Sequence, residues 1–198
     1  PYPLPKPDFS RTDDKKPVKV FILSGQSNMV GFGRTGGAGP GTLEHLCTVL
    51  KRFPNLIDDD GNWISNKNVM YRGVISDIGN GPLSPVVAGR SFGPELGFGE
   101  VMDYIFEEPV LLIKTSIGNR SLSWDCLPPG SEGFDHTDGY TYAGYGESPG
   151  RWRTGGEPEP IWWYAGKQYD DYFLDEADMG PQSWESGGAY PKSFQVKH

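Results

Sequence analysis

The apolar run Val18-Lys19-Val20-Phe21-Ile22-Leu23 breaks off abruptly at Ser24-Gly25-Gln26-Ser27-Asn28-Met29. Its β-branched and aromatic side chains, over so short a length, predict a buried β-strand. A strand that ends in small polar residues puts them at the carboxyl edge of a sheet, where open α/β folds keep their sites. Gly25 permits a tight turn. Ser27 then stands on that turn with its hydroxyl toward a cleft, a suitable place for a nucleophile. A plainer reading has Ser24, Ser27 and Asn28 only capping the next helix.

A second strand of this kind is Val110-Leu111-Leu112-Ile113-Lys114-Thr115, which has the pattern of a buried parallel strand. It too runs into polar and glycine residues, from Ser116 to Trp124. Helix signals lie between the two strands. Apolar residues recur at 3- and 4-residue steps from Thr42 to Phe53, predicting a helix begun by Thr42 and ended by Pro54. His45 lies off that stripe. Pro94 suits the first turn of a further helix and Glu95 complements its dipole, with Leu96, Phe98, Val101, Met102 and Ile105 supplying a packed face. Gly93, just before that helix, offers a backbone N–H to an anion, the chemistry of an oxyanion hole. An ordinary capped helix fits the same residues.

The segments between these elements read as connections. Gly31 to Gly41 is glycine-rich but lacks the Lys-Ser/Thr ending of a phosphate loop. Asp58-Asp59-Asp60-Gly61-Asn62 lacks calcium-loop spacing and reads as a hairpin turn. A short strand is expected over 68–72 and a loop over 79–89. From Asp125 to Ile161 aliphatic residues are few and Gly, Pro, Tyr and Trp many. Its aromatic residues, with Trp162 and Trp163, argue against disorder. They act as pegs holding the loop down or as a platform for stacking sugars, with pegs favoured because buried aromatics stabilise heavily.

Composition narrows the function. The chain has 198 residues, 36% apolar and 22% charged, with 28 glycines and 18 prolines, which suits one compact core with long ordered loops. A net charge of −8 argues against nucleic acid and anionic membranes as partners. The Pro-rich opening, residues 1–17, reads as an extended arm or linker, and fits a secreted, periplasmic or extracellular mature chain. Cys47 and Cys126 permit one disulfide without requiring it.

Gly25-Gln26-Ser27-Asn28-Met29 resembles the nucleophile block of SGNH (GDSL-type) hydrolases, in the branch of sialate O-acetylesterase-like and acetylxylan-esterase-like carbohydrate esterases. Ser91 to Met102 resembles the second block of that family, and 162–170 the start of its next helix. The likeness spans roughly Val18 to Asp170. It implies an α/β fold, a three-layer flavodoxin-like sandwich with a parallel sheet, over a domain from 18 to 198. It implies a serine esterase removing acetyl or similar acyl groups from carbohydrate, with no metal or cofactor. Ser27 is then the nucleophile, and the oxyanion contacts are Ser27 N–H, Gly93 N–H and Asn119. Gln26, Asn28, Arg120 and Ser121 become candidate substrate contacts, although anchoring of the loop explains Arg120 and Ser121 equally well.

One part of the family pattern is missing. A serine hydroxyl needs a positioned base, and the family takes it from a late Asp-x-x-His block. The histidines are His45, His136 and His198, and none has Asp three residues before it. The late Trp-Gln-Gly-type block is also absent. Two expectations follow: a front portion completed by a further segment or chain, or a non-catalytic structural or carbohydrate-binding module on the same scaffold.

Overall fold

The computed structural model describes residues 3–13, 15–37, 39–75, 79–89 and 91–170. These fall into two compact units, Pro1–Asn119 and Arg120–His198, where the sequence suggested one domain from 18 onward.

The first unit is built on a four-stranded sheet in the order β1-β6-β3-β4. Its strands are β1 (Lys19–Gly25), β3 (Asn66–Ile75), β4 (Asn80–Leu83) and β6 (Val110–Ser116). β1 and β3 both run parallel to β6, while β4 is antiparallel to β3. The sheet is therefore mixed, a correction to the all-parallel expectation. The cause is the segment after β3, read as a loop, in which Asn80-Gly81-Pro82-Leu83 returns to pair with the β3 edge. The remaining elements are α1 (Ser27–Val30), β2 (Gly33–Arg34), α2 (Leu43–Thr48), β5 (Ser91–Phe92) and α3 (Pro94–Ile105), with β2 and β5 forming a short antiparallel pair.

β6 is central and six of its seven residues are buried, as a doubly covered strand requires. β1 is only half-buried. Phe21 packs edge-on against Phe98 of α3, whereas Ile22 on the opposite face is 60% exposed. One core joins Leu43 and Cys47 of α2, Leu96 of α3, Tyr71 of β3 and Leu112 of β6. Both helices thus pack on one apolar cluster. Burial of one such leucine stabilises by about 1.5–3 kcal/mol.

The helix after Thr42 is shorter than its periodicity predicts. Thr42 caps it, accepting the His45 N–H at 3.2 Å, but it ends at Thr48, and Lys51 takes a positive φ of 51°. Pro54 instead opens a short 3₁₀ turn. The Asp58 segment turns back as expected, bridging Ile57 to Trp63. The Asp58 carboxylate accepts the Asn62 and Asp60 N–H groups at 2.8 and 3.0 Å, and the Asn62 bond leads in holding its pKa below the usual range. The described residues of the N-terminal arm form no helix or strand and lie on the first unit. Asp8 O accepts from Asn68 Nδ2, and Lys16 pairs with Glu107.

The face of α3 differs from expectation. Ile105 and Val101 are exposed, while Glu95, Glu100 and Asp103 are buried beside Leu96 and Gly99. Amides make this possible. Asn55 Nδ2 and Asn66 Nδ2 donate to Glu100 at 3.0 and 3.2 Å, and Asn66 and Asn68 Nδ2 donate to Asp103 at 3.0 and 2.8 Å.

Burial leads in pushing the Glu100 carboxyl above its ordinary 4.5, opposed by the Asn55 and Asn66 amides and helped by the Asp103 charge. A raised folded pKa stabilises fully below the unfolded value and is lost as pH rises through the folded value. Glu100→Gln should remove that loss, so its unfolding midpoint should gain on the parent's as pH climbs from 4.5 toward neutrality. Parallel pH profiles for the two proteins would refute this.

The second unit, described over 120–170, carries a three-stranded antiparallel sheet of β7 (Phe134–Asp135), β8 (Tyr140–Tyr142) and β9 (Arg151–Arg153). Its polar hub is buried Asp125, which accepts the Ser121 N–H and Trp163 Nε1, both at 2.6 Å. Tyr145 and Tyr164 hydroxyls both donate to Asp170. Of the aromatic residues weighed from sequence, Trp163 and Tyr145 are anchored in this way, whereas Trp162 is 82% exposed. The backbone is helical over 167–170, where a helix start is expected.

Candidate active site

The carboxyl ends of β1 and β6 lie side by side. Gly25 pairs with Ser116, and Ile117 N–H donates to Gly25 O at 3.3 Å, carrying the ladder one step further. The turn after β1 bears Gln26, Ser27 and Asn28. The turn after β6 bears Asn119, exposed and at a φ of 59°. This left-handed conformation is one that asparagine tolerates better than most residues.

Ser27 is the first residue of α1 and half-buried. Its N–H and that of Asn28 have no acceptor among the described residues, because Gln26 O receives only Met29 and Val30 N–H. Ser27 Oγ donates to Gln26 Oε1 at 2.6 Å. An amide oxygen holds the hydroxyl but cannot take its proton at neutral pH. No imidazole bonds Ser27 among the described residues. His136 is exposed in the second unit and engages Asp138, its Nδ1 3.2 Å from a carboxylate oxygen. His198 lies outside the described residues.

Gly93 comes close to the end of α1. β2 pairs with β5 so that Gly31 and Gly93 meet backbone to backbone. A Cβ on Gly31 would stand 2.2 Å from Gly93 Cα, and one on Gly93 would stand 2.8 Å from Met29 O. Only glycine fits at such an approach. The Gly93 N–H, however, donates to Glu95 Oε1 at 2.7 Å. That bond satisfies the N–H within the fold.

The group beneath this arrangement is Lys114, read from sequence only as a strand residue. It shares a sheet face with Leu23 and Leu112, and its side chain is fully buried. Its ammonium donates to Glu95 Oε2 at 2.8 Å and to Val30 O at 2.7 Å. One cation thus ties the last carbonyl of α1 to the first turn of α3. A lysine inside an apolar strand is the one sequence signal that marked it, since a buried lysine requires a partner.

Arg120 and Ser121 belong to the second unit. The Arg120 guanidinium lies 3.4 Å from the Trp163 ring centroid and 3.9 Å from Asp125, and Ser121 Oγ accepts the Trp124 N–H at 3.1 Å. These are the contacts of a loop anchor. Cys47 offers no alternative nucleophile, since burial pushes its thiol up to about 11. Among the described residues no cluster of three His, Cys, Asp or Glu is placed to hold a metal, and no helix is long and apolar enough to cross a membrane.

Comparison of the chain with protein-family models, with curated proteins and with solved structures finds no match.

Lys114→Met should leave the Glu95 carboxylate buried without its cation, at a cost of about 3–5 kcal/mol in urea unfolding. Adding Glu95→Gln should recover part of that loss. A single-variant cost below about 1 kcal/mol would show that the pair does not hold the two elements.

Proposed function

We propose that the chain is a carbohydrate O-acyl esterase of SGNH type in which Ser27 is the nucleophile. The observation that carries this reading is the position of Ser27: first residue of α1, on the turn leaving a parallel strand, with its N–H open among the described residues. Ser27 Oγ attacks the acyl carbonyl while Ser27 N–H, with Asn119 as a weaker contact, stabilises the oxyanion. The sugar hydroxyl leaves with a proton and an acyl-serine remains. Water then releases the carboxylic acid and restores Ser27. The hydroxyl proton must pass to a base, so in the working enzyme an imidazole replaces Gln26 on Ser27 Oγ, supplied by residues outside those described or by another chain. Gln26 and Asn28, both exposed beside Ser27, are the nearest candidates for contact with the sugar.

The second reading, a non-catalytic carbohydrate-binding or structural module on this scaffold, is favoured by two bonds. Ser27 Oγ is held by an amide rather than a base, and Gly93 N–H is satisfied by Glu95. A fluorophosphonate probe separates the two. The esterase reading expects a covalent mass increase on the peptide containing Ser27, and aryl-acetate turnover reduced by about three orders of magnitude or more in Ser27→Ala. An unlabelled Ser27, with equal turnover by parent and variant, would leave the module.

A further inference from the structure

The strand register of the second unit sets a particular group of side chains on one face. Tyr140 is opposite Arg153, Tyr142 opposite Arg151, and Phe134 opposite Tyr142. Directly opposed residues of an antiparallel pair share a face, so Phe134, Tyr140, Tyr142, Arg151 and Arg153 stand together, with Asp135, Thr141 and Trp152 behind them. The Arg151 and Arg153 guanidinium carbons lie 4.5 and 4.7 Å from the Tyr140 ring centroid. Phe134 is 56% exposed and stacks on Tyr142 at 5.4 Å between centroids.

Two exposed cations side by side on a chain of net charge −8 are held there by the ring between them, through cation–π attraction. Asp138 offsets part of this charge. Its carboxylate accepts the Tyr142 hydroxyl at 2.8 Å and lies 4.0 Å from Arg151. Arg153 has no ion-pair partner among the described residues. Tyr140 restrains both guanidiniums, so less rotamer entropy is lost when their N–H edges meet a ligand. The planar guanidinium fork matches a carboxylate. The exposed Phe134 beside it offers an apolar ring of the kind on which the C–H face of a sugar packs.

We propose that this face is a binding site for an anionic glycan, a chain of sugars bearing carboxylates. The site is formed within the second unit and its proposal does not depend on the chemistry of Ser27. It binds uronate residues by paired guanidinium contacts, with the sugar ring against Phe134.

The test uses the full chain in affinity electrophoresis through gels containing polygalacturonate, its methyl ester or polyglutamate. The expected result is retardation by polygalacturonate that weakens with added salt, with little retardation by the uncharged ester or the acidic peptide. Arg151→Gln and Arg153→Gln should each weaken binding by about tenfold, the typical worth of a charge-assisted hydrogen bond. Both should keep the parent's thermal midpoint and circular dichroism, because the two side chains are exposed. Tyr140→Leu should fall between parent and Arg variants, keeping the charge but losing the restraint. Equal retardation by the ester would mean stacking alone. Equal retardation by polyglutamate would mean that the patch reads charge without sugar. Either result, no retardation by polygalacturonate, or folded Arg variants that bind like the parent, would overturn the proposal.

Discussion

A fully buried ammonium in the middle of a parallel strand is the constraint on which the first unit turns. Lys114 cannot be left in that interior without acceptors, since an isolated charge there costs several kcal/mol. Its acceptors are Glu95 and the carbonyl of Val30. Meeting that need fixes where α3 begins and where α1 ends. Glu95 in turn accepts the Gly93 N–H, which draws the turn before α3 against Gly31. The close passage of Gly31 and Gly93 and the short β2–β5 pair follow from the same demand. The candidate nucleophile sits one turn of helix away from that cation, on a segment whose end the cation holds.

The same chemistry recurs on the rest of α3. Its buried stripe carries Glu100 and Asp103, and asparagine amides from Asn55, Asn66 and Asn68 satisfy them. Polar networks of this kind stabilise only when every member is paired. They also fix orientation in a way that an apolar stripe does not. The second unit is organised differently, around Asp125 and aromatic pegs, with few aliphatic side chains in its interior.

Much of this was legible in the sequence wherever hydrophobic pattern decides structure. The runs at Val18–Leu23 and Val110–Thr115 do form adjacent parallel strands, Pro94 does open α3, and Asp58 does turn the chain. The failures share a cause. Asn80-Gly81-Pro82-Leu83 has no strand pattern and becomes one because the edge of β3 is open to it. The periodicity after Thr42 outruns the helix, which stops where Lys51 adopts a left-handed conformation. Val101 and Ile105 look like a core face and are exposed, because the sheet beneath α3 offers amides at Asn66 and Asn68. Periodicity registers apolar spacing but not which polar groups will find partners. For the site, the turn bearing Ser27 was readable from the strand end. The commitment of Gly93 N–H to Glu95 was not, because it depends on a carboxylate two residues away being held in place by a lysine from another strand.

The measurement that bears most directly on the central claim, that the Ser27 turn is a preorganised acyl-transfer site, is a crystal structure of the chain soaked with an alkyl boronic acid. Such acids become tetrahedral on a reactive serine and mimic the acyl-transfer intermediate. The account predicts a bond from boron to Ser27 Oγ, displacement of the hydroxyl from Gln26, and a boronate oxygen at about 2.7–3.1 Å from Ser27 N–H. Lys114, Glu95 and Val30 should keep their present contacts. A site without boronate, with Ser27 Oγ still on Gln26 at saturating acid, would contradict it.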